Sequence, residues 1–271
     1  MISRFEASLN YVILAIFSVV AIWPVLTILF GAFGAPDANA GAGVLGLHPE
    51  NFAAAWREGH FSQFMLNSVM VASVVVVLAV SLSVLAGYAF GTMTFRGSEV
   101  LFYLFLLGIM VPAEAIVVPL FFDLRTLGLI DTIWAVALPQ VAQSIAFGTY
   151  WMRTYFKTSN KSISEAARID GASNGRILWF VQIPIARPAI VTLVVLVFMW
   201  TWNEFLIPLV MSPSGEMRTA PLGLAFFQGQ YSTNTALMSA AAVLVALPVV
   251  IVYLFLQRHF IRGMIEGAVK D

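Results

Sequence analysis

Six apolar runs dominate this chain, near residues 10–33, 65–90, 100–122, 132–152, 188–211 and 234–257. A hydrocarbon core of about 30 Å takes roughly 20 helical residues to cross, and each run supplies them. In lipid the backbone polar groups must be satisfied within the segment, so runs of this length fold as helices. With 60% hydrophobic and 10% charged residues, too much apolar surface remains for a core of this size to hide. The sequence therefore predicts an all-α integral membrane protein, a single transmembrane domain over residues 1–271 with six transmembrane helices. The first run exceeds the roughly 7–15 residues of a signal-peptide core and lacks a small-x-small cleavage site, so it reads as a retained helix.

The basic residues orient the bundle. With both termini cytoplasmic, the inner segments hold Arg4, Arg96, Arg153, Lys157, Lys161, Arg168, Arg176, Arg187, Arg258, Arg262 and Lys270. Only Arg57, Arg125 and Arg218 fall outside, and the reverse topology inverts that bias. A formal net charge of zero gives no footprint for nucleic acid. With no cysteine, disulfides, thiol catalysis and thiolate metal sites are excluded. His48, His60 and His259 show no metal-ligand spacing.

One polar interruption breaks the apolar pattern, the cytoplasmic loop 153–187. Ser162 and Glu165 form an S-x-x-E capping box that predicts a short helix from Ile163, and Gly171 suits the left-handed residue that ends it. Ile163, Ala166 and Ala167 fall on one face, while Glu165, Arg168 and Asp170 add charge. Asn174 is placed to cap a second helix running to Pro184. On the outer side, residues 34–63 open as a loop. There "NFAAAWREGHFSQF" predicts a surface helix whose Phe52, Trp56, Phe61 and Phe64 suit an interface. Pro24, Pro112, Pro119, Pro139, Pro208 and Pro248 interrupt the spans and predict bent helices.

Polar groups at membrane depth are costly and face protein or water. Glu114 lies in the third run, Gln140, Gln143 and Ser144 in the fourth, Asn203 and Glu204 in the fifth. One reading is a polar pathway lined by Glu114, Gln140, Asn203 and Glu204, with Trp200 and Trp202 offering rings to stack on sugars. The other is that these groups knit helices together. No G-x-x-x-x-G-K-[ST] phosphate loop occurs, so any ATP used in transport is bound by another polypeptide.

The central loop resembles the EAA motif of permease subunits of binding-protein-dependent ABC importers: E-A-A, three residues, G, nine residues, I-x-L-P. Here Glu165-Ala166-Ala167 is followed by Gly171 and then by Val181-Gln182-Ile183-Pro184, with "IDGAS" and Pro188 in register. Val181 and Ile183 are conservative departures. The stretches "AGYAFGTMTFRG", "VPAEAIVVPLFFDLRTLGLIDT", "WNEFLIPL" and "IRGMIEGAVK" are similar to the carbohydrate-uptake branch, which includes the smaller maltose permease subunit. The resemblance runs from about Asn67 to the C-terminus. It implies a type I importer permease fold in a bacterial or archaeal cytoplasmic membrane. The partners it implies are a second permease, an ATPase dimer that binds ATP and Mg, and an extracytoplasmic solute-binding protein. It further implies that the subunit itself is non-catalytic and holds no cofactor. Glu165, Ala166, Ala167, Asp170 and Gly171 are implied to form the coupling helix that docks on the ATPase. The substrate implied is a mono- or oligosaccharide. Another solute (glycerol phosphodiester, polyamine, peptide) and a proton-coupled secondary transporter titrating Glu114 or Glu204 are the alternatives, and the second leaves the EAA loop unexplained.

Overall fold

The computed structural model describes residues 4–35, 47–228 and 234–268. Most of the expected outer loop (36–46) and Lys270 lie outside them, as does the His259 side chain. The order is α1 (Arg4–Ala32), α2 (Glu50–Glu58), α3 (Phe61–Thr92), α4 (Ser98–Met110), α5 (Ala113–Thr126), α6 (Ile133–Thr158) and α7 (Lys161–Ile169). Then follow α8 (Asn174–Ile177), a π-helical turn (Leu178–Gln182), α9 (Ile183–Ile185), α10 (Arg187–Asn203) and α11 (Leu206–Met211). A 3-10 stretch (Ala220–Phe227) precedes α12 (Thr235–Ala268). No β-strand occurs among the described residues.

Three helical stretches are long and apolar enough to cross a bilayer: Ser8–Ala32, Phe61–Thr92 and Thr235–Gln257. The number rises to five if each of two bent pairs is one crossing. The run at 100–122 is not one rod: α4 and α5 meet at 98° across Val111 and Pro112. Proline fixes its own φ and pushes its predecessor out of the helical region; Val111 accordingly has ψ 115° and Pro112 ψ 133°. The run at 188–211 is likewise split, because Glu204 turns extended (ψ 125°) between α10 and α11. Pro24, Pro119, Pro139 and Pro248 stay inside their helices. The run at 132–152 coincides with α6, whose glutamines, serine and threonines keep it out of the apolar set; its buried face recurs from Ala135 to Phe156, while Leu138 and Tyr150 are exposed.

The chain packs as two compact units. The first comprises residues up to Gln63 together with Gly223–Pro248. Within it α1 buries none of its apolar window and is held at its C-terminal end. There Asn51, 1% exposed, donates from Nδ2 to the carbonyls of Ala32 and Gly34, both at 2.9 Å. Those are the acceptors a helix end leaves without partners. Phe61 is fully buried here and Phe64, at the start of the second unit, is 4% exposed. Both open α3 as core residues, contrary to their expected interfacial place; Trp56 stays exposed.

The second unit, Phe64–Leu222 with the chain from Val249 onward, is built around α6. α4 and α10 pack on α6, and α11 packs on both α5 and α6. α3 crosses α6 with almost no space between backbones: a Cβ on Gly87 would lie 2.8 Å from Arg153 N and 2.9 Å from the Met152 carbonyl carbon. Small residues permit such contact where lipid supplies no hydrophobic drive for association. Arg153 fastens α4, donating to Glu99 Oε1 (2.8 Å) and standing 3.8 Å above the Phe102 ring. At the far end Asn67 donates to the carbonyls of Glu216 and Arg218, and Ser68 Oγ accepts from Ala220 N. Asp131, at φ +62°, accepts from Ser214 N and Oγ and from Ser212 Oγ.

Candidate functional site

Two features of the second unit carry the candidate residues. The first is a cavity of about 450 Å³ between α6 and α10. Gln140, Gln143 and Ser144 line it from α6; Leu196, Met199, Trp200, Thr201, Asn203 and Glu204 line it from the end of α10. The helical repeat explains the set: Gln140 with Gln143 and Ser144, and Leu196 with Met199, Trp200 and Asn203, recur at three and four residues. The structure thus brings together Gln140, Trp200, Asn203 and Glu204. Glu114 stands apart, exposed in the first turn of α5 and absent from the lining.

Local bonding separates these residues. Gln140 is 4% exposed; its Nε2 donates to Val136 O at 2.9 Å, while its Oε1 is buried with no hydrogen-bond partner among the described residues. Asn203 donates back to Met199 O at 2.7 Å. Trp200 presents nearly half its surface and is fixed edge-to-face on Phe147 at 4.9 Å. Trp202 is 2% exposed and packs on Phe198, so it is withdrawn from any ligand. Glu204 Oε1 accepts from Ile207 N at 3.0 Å and so caps α11 across the break. A cap of this kind contributes about 1 kcal/mol. Glu204→Ala is therefore expected to lower the melting temperature of the detergent-solubilised protein. Glu204→Gln, which keeps an acceptor oxygen, should melt like the parent; equal melting of all three proteins would remove the capping role.

The second feature is α7. Its N-cap is Asn160, whose Oδ1 accepts from Ser162 N (3.0 Å) and Ser162 Oγ (2.8 Å). The helix thus starts two residues before the position that the Ser162–Glu165 box indicates. Its end matches expectation: Gly171 sits at φ +80°, Ala172 N donates to Ala167 O and Gly171 N to Arg168 O. That pair of bonds is the Schellman closure. Ser173, one residue before the expected Asn174, caps α8 through Arg176 N at 3.4 Å.

No residue of α7 is buried. Ser164 and Ala167 are half-covered on its inner side, where Ser164 Oγ accepts from Gln182 Nε2 at 2.6 Å. Ile163, Glu165, Ala166, Asp170 and Gly171 are exposed, and Ile169 is 88% exposed. Ala167 therefore belongs to the mounted side, and the free apolar side is Ile163, Ala166 and Ile169. Ile169 escaped the sequence reading; its signal was the three-residue spacing from Ala166.

The cavity between α6 and α10 and the exposed α7 belong to one unit of a helical chain that carries stretches long and apolar enough to cross a bilayer. The fold matches the bacterial ABC transporter involved in import of the acidic polysaccharide alginate with a TM-score of 0.81 at 24% identity, over 96% of this chain and 99% of that one. It also matches the alginate transporter in complex with alginate pentasaccharide-bound periplasmic protein, with a TM-score of 0.66 at 13% identity over 93% and 94%. The arabinooligosaccharides transport system permease protein AraQ of Halalkalibacterium halodurans is 32% identical over 263 residues, 94% of each chain. The trehalose transport system permease protein SugB of Mycobacterium tuberculosis is 32% identical over 223 residues, 82% of this chain and 81% of that one. Residues 79–266 match the binding-protein-dependent transport system inner membrane component family, and this chain belongs to that family.

Proposed function

We propose that the chain forms half of the translocation path of an ATP-driven importer of mono- or oligosaccharides, with α7 docking on a separate ATPase. Two permeases, an ATPase dimer that binds ATP and Mg, and an extracytoplasmic solute-binding protein make up the machine; this subunit performs no catalysis. The three long helices, the α4–α5 pair, α6 and α10 supply six crossings, with both termini and α7 on the cytoplasmic side. Relatives named for arabinooligosaccharides and trehalose support a sugar substrate. The cavity suits one: Trp200 offers a ring face, and Gln140, Gln143, Ser144 and Asn203 offer neutral hydrogen-bonding groups.

The observation that carries docking is the exposure of α7. A helix capped at both ends and tied down on one side keeps Ile163, Ala166 and Ile169 free, which is the form of a helix seated in a partner's groove. Closure of the ATPase dimer would shift this helix and, through rigid neighbours, re-aim the crossings that line the cavity. Because the chain has no cysteine of its own, Ile169→Cys gives a unique cross-linking site. Its expected adduct joins it to the ATPase and changes in yield with nucleotide; no adduct with an ATPase in the intact complex would end the docking reading.

A further inference from the structure

The segment Asn174–Ile185 between α7 and α10 has two unlike sides. Its inner side is fixed: Ile177 is fully buried, Leu178 and Gln182 are 5% and 2% exposed, and Gln182 is bonded to Ser164. Tyr155 OH donates to Ile185 O at 3.1 Å, and Tyr88 OH approaches Asn174 O at 3.4 Å. The wider π-helical turn places neighbouring Trp179 and Phe180 together on the other side, 62% and 77% exposed. Arg176 and Arg187 flank them, both exposed, and no ion pair of either occurs among the described residues. No acidic residue occurs from Gly171 to Asn203.

The segment meets α10 at 78°. A helix along the bilayer normal therefore leaves this segment lying almost in the membrane plane, at the level where α10 enters lipid. Tryptophan and phenylalanine at that level sit among headgroups and upper acyl chains, and arginines beside them reach phosphates. We infer that Asn174–Ile185 is an interfacial anchor in which Trp179 and Phe180 insert into the leaflet and Arg176 and Arg187 hold anionic phospholipid headgroups. The inference rests on the proposed crossing of α10, and it is separable from ATPase docking. The same rigid segment that carries the foot of α7 thereby has a fixed depth, so a push on α7 pivots about the membrane surface.

A nitroxide on Phe180→Cys in the assembled importer, held in nanodiscs of phosphatidylcholine and phosphatidylglycerol, tests the insertion. Expected is greater collision with lipid-soluble oxygen than with an aqueous nickel chelate. Greater collision with the chelate overturns the anchor, and exclusion of both overturns it in favour of a protein neighbour such as the sister permease. The headgroup claim is read from Trp179 emission, the difference between the parent and Trp179→Phe. Brominated phosphatidylglycerol should quench it in preference to brominated phosphatidylcholine, by about fivefold for each arginine. Arg176→Gln with Arg187→Gln should erase that preference; no preference in the parent, or one that survives the double substitution, overturns headgroup binding. A nitroxide on Ile169→Cys reports docking independently through immobilisation by the ATPase. A lipid signal at Phe180 with no immobilisation at Ile169 would leave the anchor standing while docking fell.

Discussion

Gly171→Val is expected to leave the protein in the membrane and to cut ATP-driven uptake sharply. At φ +80° Gly171 occupies a backbone region in which a β-branched residue is an outlier. Nothing lies within 4 Å of where a Cβ would stand, so the effect has no steric component from neighbours. It acts through the backbone alone, undoing the bonds from Gly171 N to Arg168 O and from Ala172 N to Ala167 O. Those bonds close the last turn of α7, where Ile169 and Asp170 sit. Left-handed geometry costs an ordinary L-residue about 1–2 kcal/mol, and a cost of about 1.4 kcal/mol already displaces an equilibrium tenfold. Uptake into proteoliposomes should fall at least about tenfold, with membrane yield unchanged. Gly171→Asn, which tolerates the left-handed region, should retain most of the activity. Parental uptake by the valine variant would mean that the shape of this helix end does not govern coupling.

A larger effect on stability is expected where α3 meets α6. Gly87→Val forces a branched side chain against Arg153 N and the Met152 backbone, atoms with no rotamer to escape into. Gly148→Val drives into Ser83, whose Oγ and Cβ already fill that space. Overpacking of this kind costs about 3 kcal/mol, and each variant should lose most of its folded yield in detergent. The two sites differ in their rescue. Gly148→Ala should be restored by Ser83→Gly, because a side chain is the obstacle, whereas Gly87→Ala faces main chain that a single side-chain removal leaves in place. Fluorescence-detected size-exclusion of Gly148→Ala with and without Ser83→Gly, beside Gly87→Ala with and without the same change, would decide it. Failure of Ser83→Gly to restore Gly148→Ala would show that the crossing is limited elsewhere.

The apolar runs made the helical membrane fold legible, and the span from Glu165 to Pro184 made the exposed α7 legible. What escaped was geometry that residue type does not encode. A hydropathy window averages over Val111 and Pro112 and cannot carry the dihedral change that turns α4 from α5 by 98°. Ser162 and Glu165 satisfied the capping pattern, but Asn160 Oδ1 takes both the amide and the hydroxyl of Ser162, and so sets the start earlier. Phe61 and Phe64 looked interfacial from their neighbours, yet tertiary packing buried them. Trp200 and Trp202, two apart, necessarily point apart on a helix, and only one reaches the cavity. The G-x-x-x-G spacing of Gly87 and Gly91 was present in the sequence as a signal for the α3–α6 crossing.

Glu204 ties the cavity to the break between α10 and α11. The residue that lines the cavity also accepts from Ile207 N, and so fixes where α11 begins. α11 in turn packs on α5 and α6. The outline of the cavity and the hold of its neighbouring rods therefore hang on one carboxylate, and neither can be retuned without the other.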